Sequence, residues 1–419
     1  MKVLYFHQHF TTPRGASGTR SYEFARALLA KGHSVTMVCG ASALAGLGVP
    51  VEGRRWTRVT VDGVDVLAFP LSYSNRDGLV RRAWIFLSFA LRSIWLALRE
   101  DYDVVFATST PLTVALPGIV ARWFRRKPFI FEVRDLWPDL PRALGMTNPV
   151  VLGGMSLLEW CAYRSSVAAI GLSPGIAEGI RRRASATLPI AMIPNGCDLD
   201  LFRPELRRPL ALEGIAPGDF VAGFTGAHGV ANGLDAVLDA AAVLVRRGDR
   251  RIKFAFIGDG KQKDGLAVRA HREGLWNCLF FPPVPKTDLA AVTASLGCGL
   301  MILKNVPAFY DGTSPNKFFD YLAAGIPVLN NYPGWLARLI QSEGCGIVVA
   351  PGDPEAFADA LQGMARDAGR CVEMGEAGRR LGEREFARQE LAAKFVEWLE
   401  QHAGRPGEAL AGARRAEGG

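Results

Sequence analysis

Short runs of consecutive apolar residues, set between helical patterns, recur along this chain and constrain its fold more than any other feature. Lys2–Phe6 (KVLYF) gives way to a helix-period stretch at Ser21–Leu29 and then to Ser34–Val38; Val104–Ala107, Phe129–Val133 and Val167–Leu172 follow. A strand with one wet face alternates apolar and polar residues. These runs do not alternate, so both their faces must be covered, as in a parallel sheet flanked by helices. The rhythm restarts at Val221–Phe224 and continues through Asp235–Val245, Lys253–Ile257, Leu279–Phe281, Gly299–Leu303, Pro327–Asn330 and Gly346–Val349. Between the two series, Ile193–Pro204 (IPNGCDLDLFRP) is rich in turn residues. A chain of 419 residues is also too long for one ordinary core. The sequence therefore predicts an α/β protein of two doubly wound, Rossmann-like domains, residues 1–200 and 201–382. An amphipathic last helix, about Glu383–His402, occupies 383–403 and is expected to pack back on the first domain. Residues 404–419 read as a disordered tail.

Charge and cysteine usage narrow the function. Residues 1–204 hold 24 Lys/Arg against 15 Asp/Glu, the remainder 25 against 26, so the excess basicity lies in the first half. Such a half suits nucleic acid or an anionic membrane surface. No nucleic-acid module is present, which leaves the membrane. Arg81–Glu100 (RRAWIFLSFALRSIWLALRE) is the most apolar helical stretch, but Arg92 interrupts it too early for a transmembrane span. It reads as an interfacial helix, with Trp84 and Trp95 beside Arg81 and Arg82, and Arg122–Lys127 (RWFRRK) adds a second basic–aromatic cluster. The alternative is a core helix with a solvated basic loop. Seven scattered cysteines without a CxxC pair fit a reducing cytosol and no zinc site. Met1–Phe10 reads as a first buried strand rather than a secretory leader.

Several motifs sit at strand–helix junctions. Gly15-Ala16-Ser17-Gly18-Thr19-Arg20 opens the first helix, where small residues let a backbone approach an anion. It does not meet the dinucleotide pattern GxGxxG. Gly258-Asp259-Gly260-Lys261 follows a strand and is not a Walker loop. The strongest signal is Ser314–Val328, in which Ser314 is placed to cap a helix with Pro315 at its first position. Asn316, Lys317 and Asp320 then share one face. Lys317 in the first turn opposes the helix dipole unless an anion lies between them, and Asp320 is placed to accept from sugar hydroxyls. Gly171-Leu172-Ser173-Pro174-Gly175 mimics a hydrolase elbow, but Pro174 lacks the N–H an oxyanion needs. His7-Gln8-His9 has no third metal ligand and reads as cleft lining or packing.

Taken together and in order, Ser17-Gly18-Thr19-Arg20-Ser21-Tyr22-Glu23, Arg134-Asp135-Leu136-Trp137-Pro138, Ile193-Pro194-Asn195-Gly196, Gly258-Asp259-Gly260 and Ser314 to Gly325 resemble the family-4 retaining glycosyltransferases. The subgroup most similar is typified by the L-fucosamine transferases of bacterial O-antigen and capsule assembly. The resemblance runs to about residue 403. It implies a GT-B fold, two Rossmann-like domains facing each other across a cleft, with a nucleotide-sugar donor mainly on the second. Ser17, Gly18, His228, Gly258, Gly260, Lys261, Ser314, Asn316, Lys317 and Asp320 would contact the donor, with Asp320 at the ribose. Arg134 and Asp135 would face the reacting centre, and Arg20, Arg81, Arg82, Trp84 and Trp95 would serve acceptor and membrane.

The sequence also departs from the family. The first of its paired acids falls on Gly312, beside Asp311. Its phosphate-binding Arg and Lys fall on Ala227 and Asn232, so Lys317, Lys261 and His228 are the candidates to replace their charge. Arg134 stands where relatives often carry histidine. The resemblance implies transfer with retention from a UDP-linked donor, with an N-acetylated deoxy-hexosamine among the candidate sugars, without metal or cofactor. The acceptor would be a polyprenyl-diphosphate-linked saccharide at the inner face of the cytoplasmic membrane. A sugar-nucleotide epimerase on the same fold and a catalytically silent membrane-associated scaffold remain the alternatives.

Overall fold

The computed structural model describes residues 1–15, 18–41, 55–73 and 77–404. The chain forms two compact units. One comprises Met1–Thr12, Thr19–Pro194 and the chain from Gln389 on; the other comprises Pro13–Gly18 and Asn195–Arg388. The main division thus falls at Pro194/Asn195, a few residues before the expected boundary at 200. Ser17 and nearly all of the 404–419 tail lie outside the described residues.

The first unit is built on β1 (Lys2–Phe6), β2 (Ser34–Gly40), β3 (Thr57–Val61), β4 (Val64–Phe69), β5 (Val104–Thr108), β6 (Phe129–Val133), β7 (Ala168–Gly171) and β8 (Ile190–Met192). Their order in the sheet is β3-β4-β2-β1-β5-β6-β7-β8. Every pairing is parallel except that of β3 with β4. That hairpin was not expected: β3 (TRVTV) is a half-polar edge strand without a continuous apolar run. Its two-residue turn is Asp62-Gly63, both at positive φ (49° and 87°), the conformation whose twist matches a tight hairpin.

The central strands explain the continuous runs. Val3 and Tyr5 of β1 enter one core and Leu4 and Phe6 enter another, one on each face of the sheet. The first core is closed by α1 (Arg20–Ala30) and the final helix, α15 (Arg388–Ala403), with Phe24 stacked on Phe395 at 4.1 Å. The second is closed by α2 (Leu79–Arg99), α3 (Ala115–Phe124), α5 (Pro149–Ser165) and α6 (Pro174–Arg183); a short α4 (Asp139–Ala143) lies between α3 and α5 in sequence. The final helix begins at Arg388, not near Glu383, because Glu383 still belongs to α14 (Ala368–Glu385). No glycine or proline marks the break. A tertiary contact does: Cys197 N–H donates to Phe386 O and Arg388 N–H to Cys197 O, at 2.7 and 3.0 Å.

The second unit carries β9 (Phe220–Thr225), β10 (Ile252–Ile257), β11 (Cys278–Phe281), β12 (Cys298–Met301), β13 (Val328–Asn330) and β14 (Gly346–Val348), in the order β11-β10-β9-β12-β13-β14. All its pairings are parallel. One face packs on α7 (Asp235–Arg246) and α13 (Pro354–Arg366). The remaining helices are α8 (Lys263–Arg272), α9 (Lys286–Ala294), a short α10 (Pro307–Tyr310), α11 (Asn316–Ala323) and α12 (Trp335–Glu343). Strand order reverses between β1 and β5 in one sheet and between β9 and β12 in the other. Open parallel sheets bind ligands at such switch points, beyond the carboxyl ends of the strands.

Candidate active site

At the switch point of the second sheet, the loop after β9 meets the loop after β10. A Cβ on Gly258 would fall 1.9 Å from Gly226 O, and one on Gly260 2.6 Å from His228 O, so only glycine fits at either place. The loops are joined by His228 N–H to Asp259 O and Gln262 N–H to His228 O. His228 itself is fully buried among Phe224, Phe256 and Phe280. Burial, with Lys263 and Lys317 nearby, pushes its pKa down to about 4, so the ring is neutral at pH 7. In the ligand-free protein His228 thus adds no charge to this loop. Lys261 is exposed. Lys263, which the sequence reading passed over, donates to Gly258 O and Phe281 O at 2.8 and 2.6 Å and braces the loop.

Helix α11 starts at Asn316, with Pro315 at its cap position and no side-chain cap. Ser314 does not cap it. Its hydroxyl instead accepts from Asn195 N–H at 3.0 Å, because the linker returns to this loop and presents a backbone donor. The first N–H groups of α11 thus keep their capacity for an anion. Gly18 lies against this end: a Cβ there would sit 2.5 Å from the Asn316 amide nitrogen. Lys317 Nζ lies 3.4 Å from the centroid of Phe224 and donates to Asn232 Oδ1 at 3.2 Å. Burial holds its pKa well below the usual lysine value.

Lys317 and Asp320 do not act together as expected. Asp320 is 6% exposed, and Lys286 Nζ lies 3.3 Å from its carboxylate. Lys286 also pairs with Asp198, which Arg388 holds at 2.5 Å. Burial raises the Asp320 pKa against the pull of Lys286. Asp320 is thus a buried carboxylate ion-paired with Lys286, and its Oδ1 has no hydrogen-bond partner among the described residues. At Gly312 a Cβ would come within 2.3 Å of Ala308 O, so this turn has no room for the family's first acid. Asp311 beside it pairs with Arg338 at 2.6 Å on the surface.

In the first unit, residues just past β1, β5 and β6 gather. Ser109 Oγ accepts from Arg134 N–H, and Thr110 Oγ1 donates to Asp135, both at 2.9 Å. Arg134 Nη1 lies 3.4 Å from His7 Nε2. Burial raises the Asp135 pKa, opposed by Thr110 and Arg134. His7 is driven well down by burial and by Arg134, so its imidazole is neutral and suited to accept from the guanidinium. Arg20 is not part of any open surface. It is 1% exposed, forks onto Glu132 Oε1 at 2.9 and 2.8 Å, and donates to the carbonyls of Ile193 and Pro194. The buried Glu132 requires a cation, and Arg20 supplies it.

Residues 15–196 match the family described as glycosyl transferase 4-like domain, and residues 219–367 match glycosyl transferases group 1. Both units are glycosyltransferase-family domains. A D-inositol 3-phosphate glycosyltransferase of Nocardia farcinica is 30% identical over 44% of this chain and 42% of its own length. A GDP-mannose-dependent alpha-(1-6)-phosphatidylinositol monomannoside mannosyltransferase of Mycobacterium tuberculosis is 29% identical over 52% of this chain and 58% of its own. The chain thus spans about half the length of the curated relatives it matches. Among solved structures, sucrose-phosphate synthase from Thermosynechococcus elongatus superposes with a TM-score of 0.74 at 17% identity, over 96% of this chain and 98% of that one. Anabaena HepE in complex with UDP and glucose gives 0.69 at 16%, over 96% and 99%. The fold is GT-B.

The first glycosyltransferase domain also carries the apolar helix singled out in the sequence. Its α2 buries Phe89, Leu96 and Ala97 yet exposes Val80, Trp84, Leu87, Leu91, Trp95 and Leu98, one stripe at helical spacing. Arg81 is exposed and pairs with Asp77 at 3.3 Å, while Arg82 is half-buried. Trp123 and Phe124 on α3 and Leu157 and Trp160 on α5 are exposed as well. The α5 residues were missed because that helix is apolar without a clear stripe. No described helix is long and apolar enough to cross a membrane. In the second domain, Lys286, Asp198 and Arg388 were missed for a different reason: each acts through a partner distant in sequence.

Proposed function

We propose that this chain is a retaining glycosyltransferase whose second domain binds a nucleotide-diphosphate sugar, UDP-linked, and whose first domain binds a polyprenyl-diphosphate-linked saccharide. The observation that carries this is the pairing, at one switch point, of an uncapped helix N-terminus with a lysine that lacks a carboxylate among its described contacts. Backbone amides and Lys317 take the diphosphate, and no metal is needed to neutralise it. The sugar's bond to the diphosphate breaks as the acceptor oxygen bonds to the anomeric carbon. The departing phosphate accepts the hydroxyl proton. Support for the nucleotide comes from HepE, whose complex holds UDP and glucose. Support for a lipid-borne acceptor comes from the mycobacterial relative, named for phosphatidylinositol monomannoside.

The exposed stripe of α2, flanked by arginines, supports peripheral attachment to an anionic membrane face, in keeping with a role in surface polysaccharide assembly. The donor reading is tested by calorimetric titration with UDP, and with GDP for comparison, in EDTA. Metal-independent UDP binding that Lys317→Ala weakens supports it; no binding to either nucleotide removes it. Vesicle sedimentation tests attachment: Trp84→Ser with Leu87→Ser and Leu91→Ser should release the protein from anionic vesicles.

A further inference from the structure

A row of rings leads from the switch point of the first domain to α2. His9, two residues beyond His7, has its ring centroid 6.5 Å from that of His7, 4.6 Å from Tyr73 and 6.2 Å from Phe86. Tyr73 and Phe86 stack at 5.7 Å. A guanidinium stands at each end. Arg134 touches His7, and the Arg82 guanidinium carbon lies 5.5 Å from the Tyr73 centroid and 6.0 Å from that of Phe86. His9, Tyr73, Phe86, Arg82 and Arg134 are all partly exposed, so the row is an accessible wall and not part of a sealed core.

The chemistry of this wall is mixed in a particular way. Flat rings offer faces for the apolar side of a pyranose, and guanidinium forks match phosphate oxygens. His9 adds no charge: burial and the two arginines push its pKa to about 4, leaving a neutral ring that both stacks and hydrogen-bonds. Two carboxylates lie near the row, and Asp77 is close enough to act on Tyr73. Asp135 is bound by Thr110, and Asp77 pairs with Arg81. The order of groups also matters. From Arg134 the wall runs through His9, then Tyr73 and Phe86, to Arg82, and Arg82 is followed on the same helix by the exposed Trp84 and Leu87. A sugar joined through diphosphate to an isoprenoid presents its parts in that order.

We propose that this wall is the acceptor subsite: the acceptor sugar lies against His9 and Tyr73, its diphosphate is held by Arg82, and its isoprenoid leaves along the exposed stripe of α2. The assignment rests on the transferase reading and adds to it the residues that select an isoprenoid diphosphate. The test uses the full chain and farnesyl diphosphate as probe, titrated calorimetrically, with UDP titrated separately. Arg82→Gln should weaken farnesyl diphosphate binding about tenfold or more while leaving UDP affinity unchanged. With a farnesyl-diphosphate-linked sugar as probe, His9→Ala and Tyr73→Ala should each weaken binding severalfold, and Tyr73→Phe should restore most of it because the ring is kept. None of the His9 or Tyr73 variants should alter sedimentation with anionic vesicles, which depends on the outer stripe. Unchanged affinity in Arg82→Gln overturns the subsite, as does equally tight binding of the soluble headgroup inositol 1-phosphate that Arg82→Gln weakens to the same extent, which would assign the wall to a headgroup. Failure to bind UDP with intact probe binding would instead sink the donor reading and leave this one standing.

Discussion

Several helices of this molecule carry a basic side chain in the first turn, where the helix dipole disfavours one, and α1 and α11 resolve the conflict differently. At the start of α1, Arg20 is met by the Glu132 carboxylate and two carbonyls, its charge balanced within the protein. At the start of α11, Lys317 meets a phenylalanine face and an amide oxygen, and burial alone accounts for its lowered pKa. A cation already answered is a structural pin. A cation answered only by dipoles is completed by something from outside, and the uncapped amides beside Lys317 ask for the same thing. The difference separates a stability residue from a ligand residue with no appeal to the family.

The comparison breaks most visibly through stability. Arg20→Ala strands Glu132 without its cation, and about 3–5 kcal/mol should be lost, measured by urea denaturation. Adding Glu132→Gln should recover much of it, since the uncompensated charge is then gone. Lys317→Ala should shift stability by less than about 1 kcal/mol, because a desolvated amine is removed together with its ring contact. A large loss there would make Lys317 a pin like Arg20. The same substitution should weaken UDP binding at least tenfold, about 1.4 kcal/mol. Smaller in scale, Gly312→Asp restores the family's acid where its Cβ meets Ala308 O, and should destabilise by about 1–3 kcal/mol without a gain in donor affinity.

The sequence reading assigned Lys317 to the donor and Arg20 to acceptor and membrane, and the different fates of the two mark the limit of reading it. Both sheets were legible because strands buried on both faces leave continuous apolar runs, as in β5 and β6. The β3–β4 hairpin escaped because an edge strand is half polar, although Asp62-Gly63 is a turn signal. Arg20 was read as surface because Glu132, its partner, is 112 positions away. The ion pair of Asp320 was missed for the same reason: Lys286 reaches it from an element that no local period connects. Lys317 was legible since its conflict with the helix end is local. Interactions between neighbours in sequence can be read there; those assembled by crossovers cannot.

The subtlest expected effect sharpens the contrast between the two cations without disturbing either. In the free protein the Lys317 pKa lies well below the usual lysine value, through desolvation. A diphosphate beside it favours the ammonium and raises that pKa. Between the two values, binding must take up a proton, so UDP affinity should fall as pH rises through that window, by up to about tenfold per unit. His228, already neutral with a pKa near about 4, cannot supply this signal at higher pH. Above about pH 8 the nucleotide's phosphates are fully ionised and do not contribute either. Titrations in Tris and in HEPES, which differ in ionisation enthalpy, report the proton count directly. Lys317→Arg should retain binding but lose the uptake, because a guanidinium stays charged throughout. Equal uptake in wild type and Lys317→Arg would show that the titrating group lies elsewhere, and Lys317 would then be a cation no more in need of an outside anion than Arg20.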